Sequence, residues 1–127
     1  MPETIKYSTT VTSVGPLVAD FIEQGMLIIF GEGAPSELHD MCALHTPDVK
    51  DGGVQPGDQL LLDDQRFTIL SVGDVANANL TALGHVSFKA NGARTAQLPG
   101  DISVEERPLP LLHEGSRVVI VAGDQPT

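Results

Sequence analysis

Apolar and polar residues alternate at the start of the chain. Ile5, Tyr7 and Val11 are interleaved with Lys6, Ser8, Thr10 and Thr12, the pattern of a half-buried strand. Gly15-Pro16 ends that strand. Residues 26–30, Met-Leu-Ile-Ile-Phe, form a short apolar run whose length and isoleucine content predict a buried strand. The period then changes. Leu38, Met41, Cys42 and His45 fall at i, i+3, i+4 and i+7, one face of a helix. Ser36 is placed to cap its first turn, Glu37 to favour its positive end, and Pro47 to stop it near residues 44–46. This predicts a first helix near residues 36–42.

Turn chemistry divides the rest. Pro56-Gly57-Asp58 is a turn, and residues 59–62 and 66–70 read as hairpin strands around Asp63-Asp64-Gln65. Asn77 suits the cap of a second helix over residues 77–83, with Gly84 at its C′ position. Val86, Phe88 and Ala90 alternate with Ser87 and Lys89 before Asn91-Gly92, a pair that suits a type I′ hairpin turn. Residues 101–105 and 117–121 complete about seven or eight short strands. The predicted fold is mainly β, a compact β-barrel of short strands with two short helices, in a single domain over residues 1–127. The end of the chain, 123–127, reads as a loose tail. Pro-Gly-Asp occurs at both 56–58 and 99–101, but the flanking sequences differ, so independent turns explain it better than an internal duplication.

Composition narrows the class. A chain of 127 residues buries roughly two-thirds of its unfolded surface on folding. With no Trp, one Tyr and four Phe, its core must be mainly aliphatic. Cys42 is the only cysteine, so no internal disulfide forms. No apolar run is long enough to span a bilayer, and the opening Met1-Pro2-Glu3-Thr4 lacks the features of a secretion signal. These features predict a soluble cytoplasmic domain. The net charge of −10 opposes binding to a nucleic-acid backbone. Residues 32–64 hold eight acids and one base, most of the excess. That run is a solvating face, or an acidic docking surface for a basic protein partner.

Candidate chemistry concentrates between residues 30 and 46. Gly31-Glu32-Gly33-Ala34-Pro35-Ser36 lacks the third glycine of a dinucleotide fingerprint and the Gly-Lys-Ser/Thr of a P-loop. His39, Cys42 and His45 offer three ligands that a helix would bring around one side, a conceivable zinc site without a second ligand pair. Cys42 shares the apolar face of Leu38 and Met41, which suits a small buried hydrophobe. His45 is either a core histidine with satisfied nitrogens or an imidazole nucleophile. His85 is similarly open, His39 reads as a surface residue, and His113 lies in a loop and is given no chemistry.

The stretch Met26-Leu27-Ile28-Ile29-Phe30-Gly31-Glu32-Gly33-Ala34-Pro35, followed by Cys42-Ala43-Leu44-His45, resembles the glucitol/sorbitol-specific IIA component of the bacterial phosphoenolpyruvate–sugar phosphotransferase system. So do Val72-Gly73-Asp74-Val75-Ala76-Asn77-Ala78-Asn79-Leu80, Leu83-Gly84-His85-Val86 and Pro99-Gly100, over roughly residues 4–121. The resemblance implies a cytoplasmic phosphocarrier that takes a phosphoryl group from the phosphocarrier protein HPr. It passes the group to the IIB part of a IIB/IIC sugar permease, which phosphorylates the incoming hexitol. It implies that His45 is the phosphohistidine, that His85 is an auxiliary group lying close to it, and that no cofactor or metal takes part. Gly31 stands where a basic residue can precede the Glu, and Thr46 follows His45. Turn N–H groups at Gly31, Gly33 and Ala34 are candidate phosphate contacts. A small metal-binding β-barrel and a non-catalytic interaction module are the alternatives. The sequence leaves the polyol and the phosphorylated ring nitrogen open and is compatible with a homo-oligomer.

Overall fold

The computed structural model describes residues 4–123; the opening residues 1–3 and the tail residues 124–127 lie outside them. Eight strands close into one barrel: β1 Ile5–Val14, β2 Met26–Gly31, β3 Ala43–Lys50, β4 Gln59–Leu62, β5 Gln65–Val72, β6 Val86–Lys89, β7 Asp101–Val104 and β8 Arg117–Val121. The order around the barrel is β1-β3-β2-β6-β7-β5-β4-β8. Two neighbouring pairs, β2 with β3 and β6 with β7, run parallel, and the others run antiparallel. Among the described residues there are two α-helices, α1 Val18–Glu23 and α2 Ala76–Leu83, and a 3-10 helix over Ser36–Met41. The mainly β barrel is therefore as predicted, with one helix more than expected. With six residues, α1 is too short to show a period, although Val18 and Ile22, four apart, are both buried.

The core is the barrel interior. Tyr7, Ile29, Leu60, Leu62, Phe67, Ile69, Phe88, Ile102, Val104, Val118 and Ile120 are all fully buried, and Leu80 of α2 joins them. Alternation explains the choice. In β4 and β8 every second side chain is inward, and the intervening ones are half-buried, except Val121 at the end of β8, which is buried. A second, smaller cluster lies on the outer face of β2 and β3. Phe30, Ala34, Cys42 and Leu44 are buried there against Ile28, Leu38 and Met41.

Three local expectations are corrected. The helix carrying His45 does not form: the 3-10 helix stops at Met41 and the chain runs straight into β3. The residues at 42–45 fit a two-residue period as well as a helical one, and β2 decides between them. Its edge pairs Ile29, Phe30 and Gly31 with Ala43, Leu44 and His45, so a strand satisfies backbone groups that a helix would leave facing an open edge. Pro47 is tolerated inside β3 because its partner Thr9 adjoins a register shift in β1. Neither predicted side-chain cap is made, since Pro35 and Val75 occupy the N-cap positions. Asn77 instead clamps Val54, accepting from its N–H at 2.8 Å and donating to its carbonyl at 2.9 Å. Finally, Asn91-Gly92 does not turn a hairpin. The next strand, β7, lies parallel to β6, which demands a longer crossover, and only Gly92 has a positive φ.

The predicted loose tail begins inside the structure. Gly123 is buried, and its N–H donates to Asp58 Oδ1 at 3.0 Å. Asp58, fully buried, also accepts from Lys6 Nζ at 2.7 Å and from Gln55 N–H at 2.9 Å. One carboxylate thus ties β1, the turn before β4 and the end of β8 together. Removing it leaves a mostly buried ammonium without its counter-charge, held only by the Gly53 carbonyl, and two N–H groups without their acceptor. Asp58→Ala is expected to destabilise the fold by about 3 kcal/mol or more. Asp51→Ala, at an exposed position, should change stability by no more than about 0.5 kcal/mol. Urea unfolding midpoints of the two variants check the contrast.

Candidate functional site

His45 lies on β3, in register with Gly31 of β2 and Val11 of β1, and its side chain is fully buried. Both ring nitrogens are occupied. Nδ1 is 2.6 Å from Thr9 Oγ1, and Nε2 is 2.7 Å from the carbonyl oxygen of Gly84. A carbonyl only accepts, so Nε2 carries the proton and donates it to Gly84. Nδ1 then holds the lone pair and accepts the Thr9 hydroxyl proton. The edge of the ring meets Tyr7, with centroids 6.2 Å apart and planes at 68°. Tyr7 is itself buried, its hydroxyl reaches the Leu80 carbonyl at 3.4 Å, and burial pushes its pKa up to about 12.

Burial sets the charge of His45. Loss of solvation lowers its pKa below the ordinary 6.5; the hydrogen bond to Gly84 and the carboxylate of Glu32 pull the other way and only partly offset it. The ring is neutral at pH 7.

Gly84 is demanded twice over. It ends α2 in the left-handed conformation, φ +67°, which favours glycine. A Cβ there would also lie 3.0 Å from His45 Cε1 and Nε2 and 2.9 Å from the Gly31 nitrogen. Gly31 is equally tight, because a Cβ on it would come within 2.8 Å of the Leu83 carbonyl oxygen. The two glycines let the end of α2 press against β2, and this contact brings a carbonyl onto His45.

His85 follows Gly84, but its ring faces the other way. It stacks on Phe30, with centroids 4.4 Å apart and planes at 22°, and its Nδ1 donates to the Ile29 carbonyl at 3.2 Å. Phe30 belongs to the outer cluster, whereas Ile29, its neighbour on β2, points into the barrel. His85 is half-buried on the outer face, and its Nε2 meets no hydrogen-bond partner among the described residues. The groups that hold the His45 ring in this state are therefore Thr9 and Gly84, and His85, one residue beyond Gly84, makes no hydrogen bond to it. Thr9 was missed because it lies thirty-six residues away in sequence; its only advance signal was a hydroxyl within the alternating run of β1.

The glycine turn and the proposed metal ligands also resolve. Ala34 N–H closes the turn on the Gly31 carbonyl at 3.0 Å and is not open to a phosphate. Gly33 is exposed, with open space where its side chain would be. His39 Nε2 donates to the Ala34 carbonyl at 2.8 Å and is half-buried rather than free on the surface. Cys42, extended just before β3, lies in the outer cluster and His45 in the barrel, on opposite faces of the sheet. The strand thus separates the ligands that a helix would have gathered, and no group of three metal-binding side chains occurs among the described residues. Burial pushes the Cys42 thiol up, which matches the expected role of a small core side chain.

The profile described as the PTS system glucitol/sorbitol-specific IIA component matches residues 6–119. The PTS system glucitol/sorbitol-specific EIIA components of Shigella flexneri and Escherichia coli (strain K12) are each 39% identical to this chain over 101 residues, covering 80% of it and 82% of their own length. The crystal structure of the PTS system IIA component from Enterococcus faecalis V583 superposes with a TM-score of 0.80 at 28% identity, covering 87% of this chain and 96% of that one.

A buried neutral histidine makes stability depend on pH. Above the ordinary value of 6.5, folded and unfolded chains both hold His45 neutral. Below it the unfolded chain takes up a proton that the folded chain refuses. Stability is therefore lost from 6.5 downward, until the lowered pKa of the folded state is reached. Denaturant midpoints should fall more steeply between pH 7 and pH 5 for the wild type than for His45→Gln. The Cys42 thiol should resist alkylation by iodoacetamide in the native protein and react once the chain is unfolded in urea.

Proposed function

We infer that this chain, which belongs to the glucitol/sorbitol-specific IIA component family of the phosphotransferase system, is a cytoplasmic phosphocarrier that works through a histidine. The observation that carries the reading is the family match over residues 6–119, with His45 at the Cys-x-x-His step. In this reading HPr, phosphorylated on its own histidine, donates the phosphoryl group to His45. His45 then passes it to the IIB part of a IIB/IIC permease for a hexitol such as glucitol. Transfer between two imidazoles needs alignment and donors for the phosphoryl oxygens more than it needs a strong base. The exposed turn at Gly33, two residues beyond the Gly31 that pairs with His45, is a candidate for such a donor. Among the described residues, no helix is long and apolar enough to cross a membrane.

The geometry adds a condition. With Nε2 hydrogen-bonded to Gly84 and the ring buried, the resting state is closed to a donor. Phosphorylation of His45 requires the segment from Leu83 to His85 to withdraw and the Gly84 carbonyl to leave Nε2. Docking of the partner beside the exposed Leu83 is the natural trigger. The exposed carboxylate of Glu32, which follows the Gly31 that packs against Leu83, suits a basic partner there.

One observation favours a second reading of the same activity. His85 is half-buried, is held by Nδ1, and has an Nε2 lone pair without a partner among the described residues, so it is the more accessible imidazole in the closed state. The test is phosphoenolpyruvate-dependent labelling with purified enzyme I and HPr. Wild type should take up one acid-labile, base-stable phosphoryl group per chain. His45→Gln should fall to background, while His85→Asn still accepts label at a reduced rate. Label that survives in His45→Gln and disappears in His85→Asn moves the acceptor to His85. A wild type that accepts none from a cognate HPr overturns the phosphocarrier reading.

A further inference from the structure

The bond between Thr9 and His45 joins two fully buried side chains at 2.6 Å and belongs to no backbone ladder. We propose that Thr9 is a positioning residue for phosphoryl transfer, whose hydroxyl holds Nδ1 of His45 in both tautomers and so directs the phosphoryl group to Nε2. The inference rests on His45 being the acceptor.

The argument is one of donors and acceptors. In the closed state the Gly84 carbonyl forces the proton onto Nε2, and Thr9 donates to Nδ1. A protonated Nε2 has no lone pair to offer, so the closed ring is both covered and unreactive. Attack by Nε2 needs the opposite tautomer, with the proton on Nδ1. A hydroxyl serves either state, because rotation about Cβ–Oγ1 exchanges its donor for a lone pair. A carbonyl in place of Thr9 would accept only, and a methyl would leave the buried Nδ1 without a partner.

The step balances as follows. When the Gly84 carbonyl withdraws, the Nε2 proton passes to water and Nδ1 takes up a proton, with no net change. The Nε2 lone pair then forms the new N–P bond. The N–P bond of the donor phosphohistidine breaks, and its electron pair returns to the donor ring. The Nδ1 proton stays on the His45 ring, whose positive charge is stabilised by the hydrogen bond it donates to Thr9 Oγ1. That bond is charge-assisted in the transition state and neutral in the resting state, so it favours the transition state.

The experiment combines kinetics with ring spectroscopy on the full chain. Long-range ¹H–¹⁵N spectra of the unphosphorylated wild type should show His45 with its proton on Nε2, and the phosphorylated protein should carry phosphorus on Nε2. Thr9→Val should accept label from phosphorylated HPr roughly 10- to 100-fold more slowly, through a lower maximal rate and not a higher demand for donor. Thr9→Ser, which restores the hydroxyl, should return the rate to near that of the wild type. Labelling of His45 in Thr9→Val at the wild-type rate overturns the role of Thr9 while leaving the phosphocarrier reading intact. Phosphorus on Nδ1 of the wild type does the same, and that result does not depend on how well Thr9→Val folds. A wild type with no label on His45 overturns the phosphocarrier reading itself.

Discussion

The closed barrel depends on β1, which pairs along one edge with β3 and along the other with β8. A closed sheet leaves no unpaired edge, so strands of only four residues such as β4, β6 and β7 are held from both sides. Closure is reinforced by polar groups. The buried carboxylate of Asp58 joins Lys6 of β1 to Gly123 beyond β8, and Arg117 of β8 donates to Thr10 and Ser8 of β1, the first at 2.6 Å. β1 also carries Tyr7 and Thr9 into the interior. The element that completes the barrel therefore also builds the surroundings of His45.

A sheet divides chemistry between its two faces. On β3, Ala43 and His45 lie inward while Leu44, with Cys42 just before the strand, lies outward. At the end of α2, Gly84 turns its carbonyl to the inward histidine and His85 turns its ring to the outward Phe30. The two histidines are joined through Gly84 and the backbone of β2, without a hydrogen bond between their rings. Movement of one short segment changes the environment of both, which is the minimum required of a gate.

The acidic run has several roles once folded. Asp58 is interior and structural, and Asp48 faces Arg117 at 3.5 Å. Asp63 accepts from the Arg117 N–H at 2.8 Å. Glu32, Glu37 and Asp40 remain exposed beside the glycine turn and the 3-10 helix. Of these three, Asp40 lies five residues before His45 and Glu32 directly follows Gly31, the residue of β2 in register with His45. Glu32 acts on His45 by favouring its protonated form, without reversing the effect of burial.

Local chemistry determined what was legible in the sequence. Period-two alternation and turn residues marked β1, β2, the β4–β5 pair, β7 and β8 close to their observed bounds, and Gly84 was placed at the end of α2, because these signals act within a few residues. The Cys-x-x-His step and the Leu-Gly-His-Val stretch likewise brought His45, Gly84 and His85 to attention. Tertiary structure decided the rest. Residues 42–46 carry letters that suit either a helix or a strand, and pairing with the parallel edge of β2 and the antiparallel edge of β1 made residues 43–46 part of β3. Asn91-Gly92 is a competent turn, but the next strand, β7, lies parallel beside β6, so the turn joins no hairpin. Nothing near His45 in sequence foretells Thr9 or the Gly84 carbonyl. A ring's hydrogen-bond partners are set by which strands lie side by side, and barrel closure brings together residues 36 and 39 positions apart.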